Sequence, residues 1–166
     1  FQAANHHKET PVLQNTATLE KRYQQFIQTI CQNEQVFALK LPQQDQYAFL
    51  PSAHEEYEDG EPVGVVCFWS SAARARDCCR EEWADYEIAA FGLAEFLESW
   101  CLMLAGDEAL IGAEPDRNLF CSEVEPIDVI FAAVAELKRI GKDLPLQGFD
   151  NIAHLERELQ QILADD

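Results

Sequence analysis

Cations are scarce in this sequence. Its 166 residues hold 12 lysines and arginines against 30 acidic residues, a formal net charge of −18. Such a chain has little with which to neutralise phosphates, which argues against nucleic acid and anionic lipid as partners. Long apolar runs are missing too, and none approaches the roughly 18 residues of a membrane span. No basic segment leading into an apolar stretch opens the chain, so no secretory leader is expected. Phe1-Gln2 resembles the remnant of a cleaved fusion tag. The phosphate-cradling patterns G-x-x-x-x-G-K-[ST] and G-x-G-x-x-G are absent, as are the G-x-S-x-G elbow and H-E-x-x-H. There is no C-x-x-C and no cysteine–histidine ladder, which removes support for structural zinc. We therefore expect no cofactor and no metal.

What is there suits a packed domain. Apolar residues make up 48% of the chain, enough for a real core, and the length suits one domain with appendages. Cys31, Cys67, Cys101 and Cys121 sit inside apolar patterns, where a thiol behaves as a small hydrophobe. Cys78-Cys79 is a vicinal pair, an arrangement that rarely bridges internally. Together these six predict reduced cysteines in a cytoplasmic protein.

The central stretch is Val63-Gly64-Val65-Val66-Cys67-Phe68-Trp69, uncharged and rich in β-branched and aromatic residues. It predicts a strand covered on both faces. Ser70 or Ser71 then caps a helix beginning at Ala72. A second apolar run at 88–91 completes a strand–helix–strand order that suggests a parallel crossover. Upstream, 1–16 reads as a flexible tail, and Thr16 or Thr18 caps a helix running to Asn33. Gln35–Lys40 and Gln46–Leu50 read as a hairpin, and Pro51 to Pro62 as an acidic loop. The step of three and four from Leu93 to Leu104 predicts a helix. A hairpin at 109–121, a helix from Pro126 to Gly141, a linker and a last amphipathic helix capped by Asn151 follow. The expected architecture is α+β: one compact domain (17–141), with a mixed, mostly antiparallel sheet of five to six strands packed by four to five helices. Residues 142–166 supply the linker and last helix.

Charge is unevenly spread. Residues 54–125 hold 18 acidic and four basic residues, a net of −14. Within them Glu55, Glu56, Glu58, Asp59 and Glu61 crowd the acidic loop, and Trp83, Asp85 and Tyr86 offer aromatic anchors among carboxylates. These eight are the candidate partner contacts. The loop lacks the spacing and the terminal Glu of a twelve-residue calcium loop. His6-His7 reads as incidental. Catalysis would need Cys78 or Cys79 beside His54 or His154, or Glu81-Glu82 paired with Asp85, and spacing alone does not bring either set together.

The order of several motifs resembles the bacterial family catalogued as domain of unknown function 2750. They are Arg22-Tyr23-Gln24-Gln25-Phe26-Ile27, Asn33–Leu39, Phe68-Trp69 with the alanine-rich helix to Cys78-Cys79, Leu93–Trp100, and the hairpin leading to Glu123-Val124-Glu125-Pro126. The likeness spans about residues 20–140, leaving the acidic loop after Ser52 and the tail after Gly141 outside it. It implies a small α+β domain with no assigned activity. The layout is also similar to the N-terminal domain of the enhanced-serine-sensitivity (SseB-like) proteins, which implies protein interaction by analogy.

Three readings follow. The first is a non-catalytic module for a basic protein partner, in the manner of an immunity protein or a DNA-phosphate mimic. The second is an enzyme with an unrecognised acid/base or thiol site. The third is a structural domain that forms a homodimer through its last helix.

Overall fold

One strand, beginning at Pro62, is shared by both halves of the core. In the computed structural model, which describes residues 12–166 and their side chains from Thr16 onward, Pro62–Phe68 forms strand β3. Its Val65 and Cys67, with Trp69 just beyond, enter one apolar cluster, while Val66 and Phe68 face another. A strand buried on both faces has no polar side to alternate with, which is why its sequence reads as an unbroken apolar run.

Six strands are present among the described residues: β1 (Gln35–Lys40), β2 (Phe49–Glu56), β3, β4 (Glu87–Gly92), β5 (Leu110–Ala113) and β6 (Ser122–Val124). The order β2-β3-β5-β6 makes a four-stranded sheet, and β1-β4 a two-stranded one. The β3–β5 pair is parallel and the other strand pairs are antiparallel. Phe37 and Trp69 exchange backbone hydrogen bonds of 2.9 and 2.8 Å, and the Ala48 N–H donates to Leu39 at 2.9 Å, so β1 is stitched to the larger sheet.

The helices are α1 (Val12–Asn33), α2 (Ala72–Arg76), α3 (Leu93–Glu95), α4 (Leu102–Gly106), α5 (Pro126–Arg139) and α6 (Ile152–Asp165). A π-helical segment, Phe96–Cys101, joins α3 to α4 in one continuous rod. The larger cluster fills the space between these helices and the sheet, with Phe26, Ile30, Phe96, Ile130, Leu137 and Leu155 fully buried. Each such side chain contributes about 1.5–3 kcal/mol.

Four expectations change. Helix α1 begins at Val12, so Thr16 and Thr18 lie inside it and do not cap it. The rest of the expected 1–16 tail, with His6-His7, lies outside the described residues. The strand–helix–strand run is not a parallel crossover, since β4 pairs with β1 and the parallel partner of β3 is β5. The five residues of α2 climb about 8 Å, whereas β3 spans about 23 Å, so α2 cannot carry the chain back along it. The expected 35–50 hairpin shrinks to the junction at Lys40 and Tyr47, because β1 spends its length on β4. Finally, Pro51 to Pro62 is a hairpin arm and not a loop. Strand β2 runs through Glu56, and the chain reverses at Tyr57–Glu61, where Gly60 takes φ +86°.

Candidate functional site

The acidic hairpin forms one wall of an open groove of about 740 Å³. Glu55, Glu56, Tyr57, Glu58 and Asp59 come from the β2–β3 reversal, and Val63 and Leu110 from adjoining strands. Ala105 and Glu108 close it from the end of α4, and Glu125 from the start of α5. Two local features hold the hairpin tip. Tyr57 donates its N–H to the Glu61 carbonyl at 2.8 Å, and the Glu61 N–H donates to the Asp59 carboxylate at 2.9 Å.

Six carboxylates thus border one concavity: Glu55, Glu56, Glu58, Asp59, Glu108 and Glu125. None of the six is ion-paired with a cation among the described residues. Glu125 is the groove carboxylate whose pKa is displaced. Burial raises its pKa, and the charges of Glu55 and Asp128 raise it further.

Of the eight expected contact residues, Glu55, Glu56, Glu58 and Asp59 line the groove, and Glu61 stands beside it on the same hairpin. The other three sit elsewhere. Trp83 is only 7% exposed and packs edge-to-face on Trp69 with centroids 6.2 Å apart, so it is a core residue and no surface anchor. Tyr86 is half-buried against Trp83, and its hydroxyl accepts from Gln46 at 3.2 Å. Asp85 is exposed on the same side, just past the short 3-10 turn Glu81–Trp83. Sequence reading missed Glu108 and Glu125, which sit at element junctions far from the acidic run. The one sign of Glu125 is its place before Pro126 at a helix start.

Among the described residues, no hydrogen bond or ion pair joins the members of the thiol set or of the paired-carboxylate set. The Cys78 thiol is buried against the carbonyls of Pro115 and Asp116 at 3.6 and 3.4 Å, and burial pushes its pKa up to about 11. His54 is exposed on β2. His154 lies on α6, where its Nδ1 accepts the Asp150 N–H at 3.0 Å. Glu81 is exposed and lies 3.4 Å from Arg80. All six cysteines are free thiols. Among the described residues, no group of three or more histidine, cysteine or acidic side chains is placed to hold a metal ion.

One buried carboxyl group was not foreseen. Glu114, 4% exposed, accepts the Ser70 backbone N–H at 2.8 Å and the Ser70 hydroxyl at 2.5 Å. Its own N–H donates to Phe68 at 2.8 Å, continuing the parallel ladder past the end of β5. Next to it, the Trp69 indole donates to the Pro115 carbonyl at 3.0 Å. With Ser71 accepting the Arg74 N–H as the cap of α2, these contacts fix how the central strand turns into its helix.

Fold and groove together define a small α+β domain with an anionic concavity. The chain belongs to the family described as Protein of unknown function (DUF2750), whose model matches residues 23–132. No curated protein and no solved structure matches it. No helix among the described residues is long and apolar enough to cross a membrane.

Proposed function

We propose that this protein is a non-catalytic binding module that takes a basic segment of another protein into its acidic groove. The observation that carries the reading is the set of six groove carboxylates with no cation paired to them among the described residues. A lysine- or arginine-rich segment would relieve their mutual repulsion, and the apolar side chains of Val63, Ala105 and Leu110 would receive its methylene stems. The same chemistry serves a protein that neutralises a basic toxin or imitates DNA phosphates. The raised pKa of Cys78 supports the absence of a thiol reaction, since the thiolate is the nucleophile. Six unbridged thiols support a reducing, cytoplasmic setting.

The test is capture of partners from native cytosol by the immobilised chain, at low and at moderate salt. The variant Glu55→Gln/Glu56→Gln/Glu58→Gln/Asp59→Asn serves as control. The reading expects a basic protein that is held at low salt, released as screening sets in, and not held by the variant. No captured protein, or one held equally by the variant and indifferent to salt, would overturn it.

A further inference from the structure

A second surface has nothing to do with the groove. Strand β4 is an edge strand of the two-stranded sheet, and the hydrogen-bonding pattern identifies its free side. Phe37 spends its N–H and carbonyl on Trp69, and Leu39 spends its carbonyl on Ala48. Both therefore point away from β4, so their cross-strand partners Ala90 and Ile88 point away from β1. Gly92, opposite Gln35, shares that phase. Three N–H groups and two carbonyls thus face outward along Ile88, Ala90 and Gly92, the Gly92 carbonyl being spent at the start of α3, where Gly92 is the N-cap. None of them meets a partner among the described residues. Ala90 and Gly92 are exposed, and the strand carries no proline, lysine or bulge, the devices that usually blunt an edge.

We propose that this edge pairs antiparallel with the same edge of a second copy of the chain. The sequence Glu87-Ile88-Ala89-Ala90-Phe91-Gly92 is complementary to itself in a register that uses four of these five outward groups. That register centres a two-fold axis on Ala90, so that Ala90 faces Ala90 of the other copy and Ile88 faces its Gly92. Between these bonded pairs, Ala89 faces Phe91. Each large side chain meets a small one, and the two Glu87 residues lie at opposite ends of the contact, away from each other. An isologous interface needs such a self-match, which a strand chosen for a foreign peptide would not need to carry. Pairing would join the β1–β4 ribbons of the two copies into one four-stranded sheet.

The charge of −18 on each copy opposes the contact, so association strengthens with salt as repulsion is screened. Mass in solution is measured by light scattering over a range of concentration and salt. In parallel, amide exchange at Ala90 is followed against concentration. Twice the chain mass is expected at high concentration and high salt, with the Ala90 amide becoming protected over the same range. Ala90→Pro removes only an outward donor, and Ala90→Lys places a charge on the axis. Both are expected to keep the wild-type circular dichroism and remain monomeric. A wild-type chain that is monomeric throughout, or a dimer that persists in both variants or leaves the Ala90 amide unprotected, would overturn the proposal.

Discussion

The Glu123 carboxylate accepts the Ser52 hydroxyl at 2.6 Å and the Ala53 N–H at 3.0 Å, although β6 and β2 occupy opposite edges of the same sheet. The sheet therefore curls until its margins meet through one side chain. Ser52 turns back as well, its oxygen accepting from His54 and Glu55 N–H groups at 3.1 and 3.0 Å. Replacing Glu123 with Ala leaves the Ser52 hydroxyl and the Ala53 N–H to water and uncaps the edge of β2. We expect a loss of about 1 kcal/mol in urea unfolding, as these groups are not deeply buried. Light scattering on heating is expected to rise earlier than in the wild type.

Glu114→Ala removes both acceptors of Ser70 at a buried site and is expected to cost about 3 kcal/mol in chemical unfolding. Glu114→Gly loses the same bonds but suits the left-handed backbone, where Glu114 has φ +58°. It is expected to be about 1 kcal/mol more stable than the alanine variant. Equal stabilities would show that the backbone there is not strained.

Gly112 lies where β5 crosses between two thiols. A Cβ at this position would stand 2.9 Å from Val65 Cγ1 and 3.0 Å from the Cys121 sulfur. Gly112→Ala is expected to cost about 1–3 kcal/mol through overpacking. Adding Val65→Ala should cost less than the two single losses together, a coupling that a double-mutant cycle measures.

Burial pushes the Cys31 and Cys121 thiols up to about 12 from 9.0, and the Tyr23 hydroxyl up to about 12 from 10.0. The folded state keeps these groups neutral where the unfolded chain ionises. Their stabilisation is complete below the unfolded pKa and is lost as pH rises towards the folded one. Unfolding free energy is expected to be level up to about pH 8 and to fall above about pH 9, by about 1.4 kcal/mol per pH unit for each thiol. The slope should lessen by one such increment in Cys121→Ala. Stability that stays flat to pH 11 would contradict this.

The β3 strand, the Asn151 cap and the inward stripe of α5 are legible in sequence because each depends on nearest neighbours alone. Asn151 accepts the His154 N–H at 2.8 Å, as an N-cap should, and Val134 and Leu137 are fully buried. The hairpin at Asp59-Gly60 was also legible, as Asp-Gly is a strong reversal signal. Its acidic surroundings hid it, since Glu55 and Glu56 break the expected alternation of a strand. The π-helical turn at Phe96–Cys101 left no mark, for Phe96, Leu97 and Cys101 keep the spacing of an ordinary helix. Two thirds of the groove carboxylates were legible for the same local reason: four of the six are nearly consecutive. Glu108 and Glu125 arrive through tertiary packing, and no spacing announces that.

Helix α6 lies beyond the segment that the family model matches, yet Ile152, Leu155 and Leu159 are buried in the larger cluster. The preceding loop is tied to the rod between α3 and α4, where the Glu98 carboxylate receives the N–H groups of Gln147 and Gly148 at 2.8 and 2.6 Å. A chain cut after residue 132 would therefore be missing a wall. The portion recognisable by ancestry is shorter than the portion that must be synthesised before the polypeptide can close on itself.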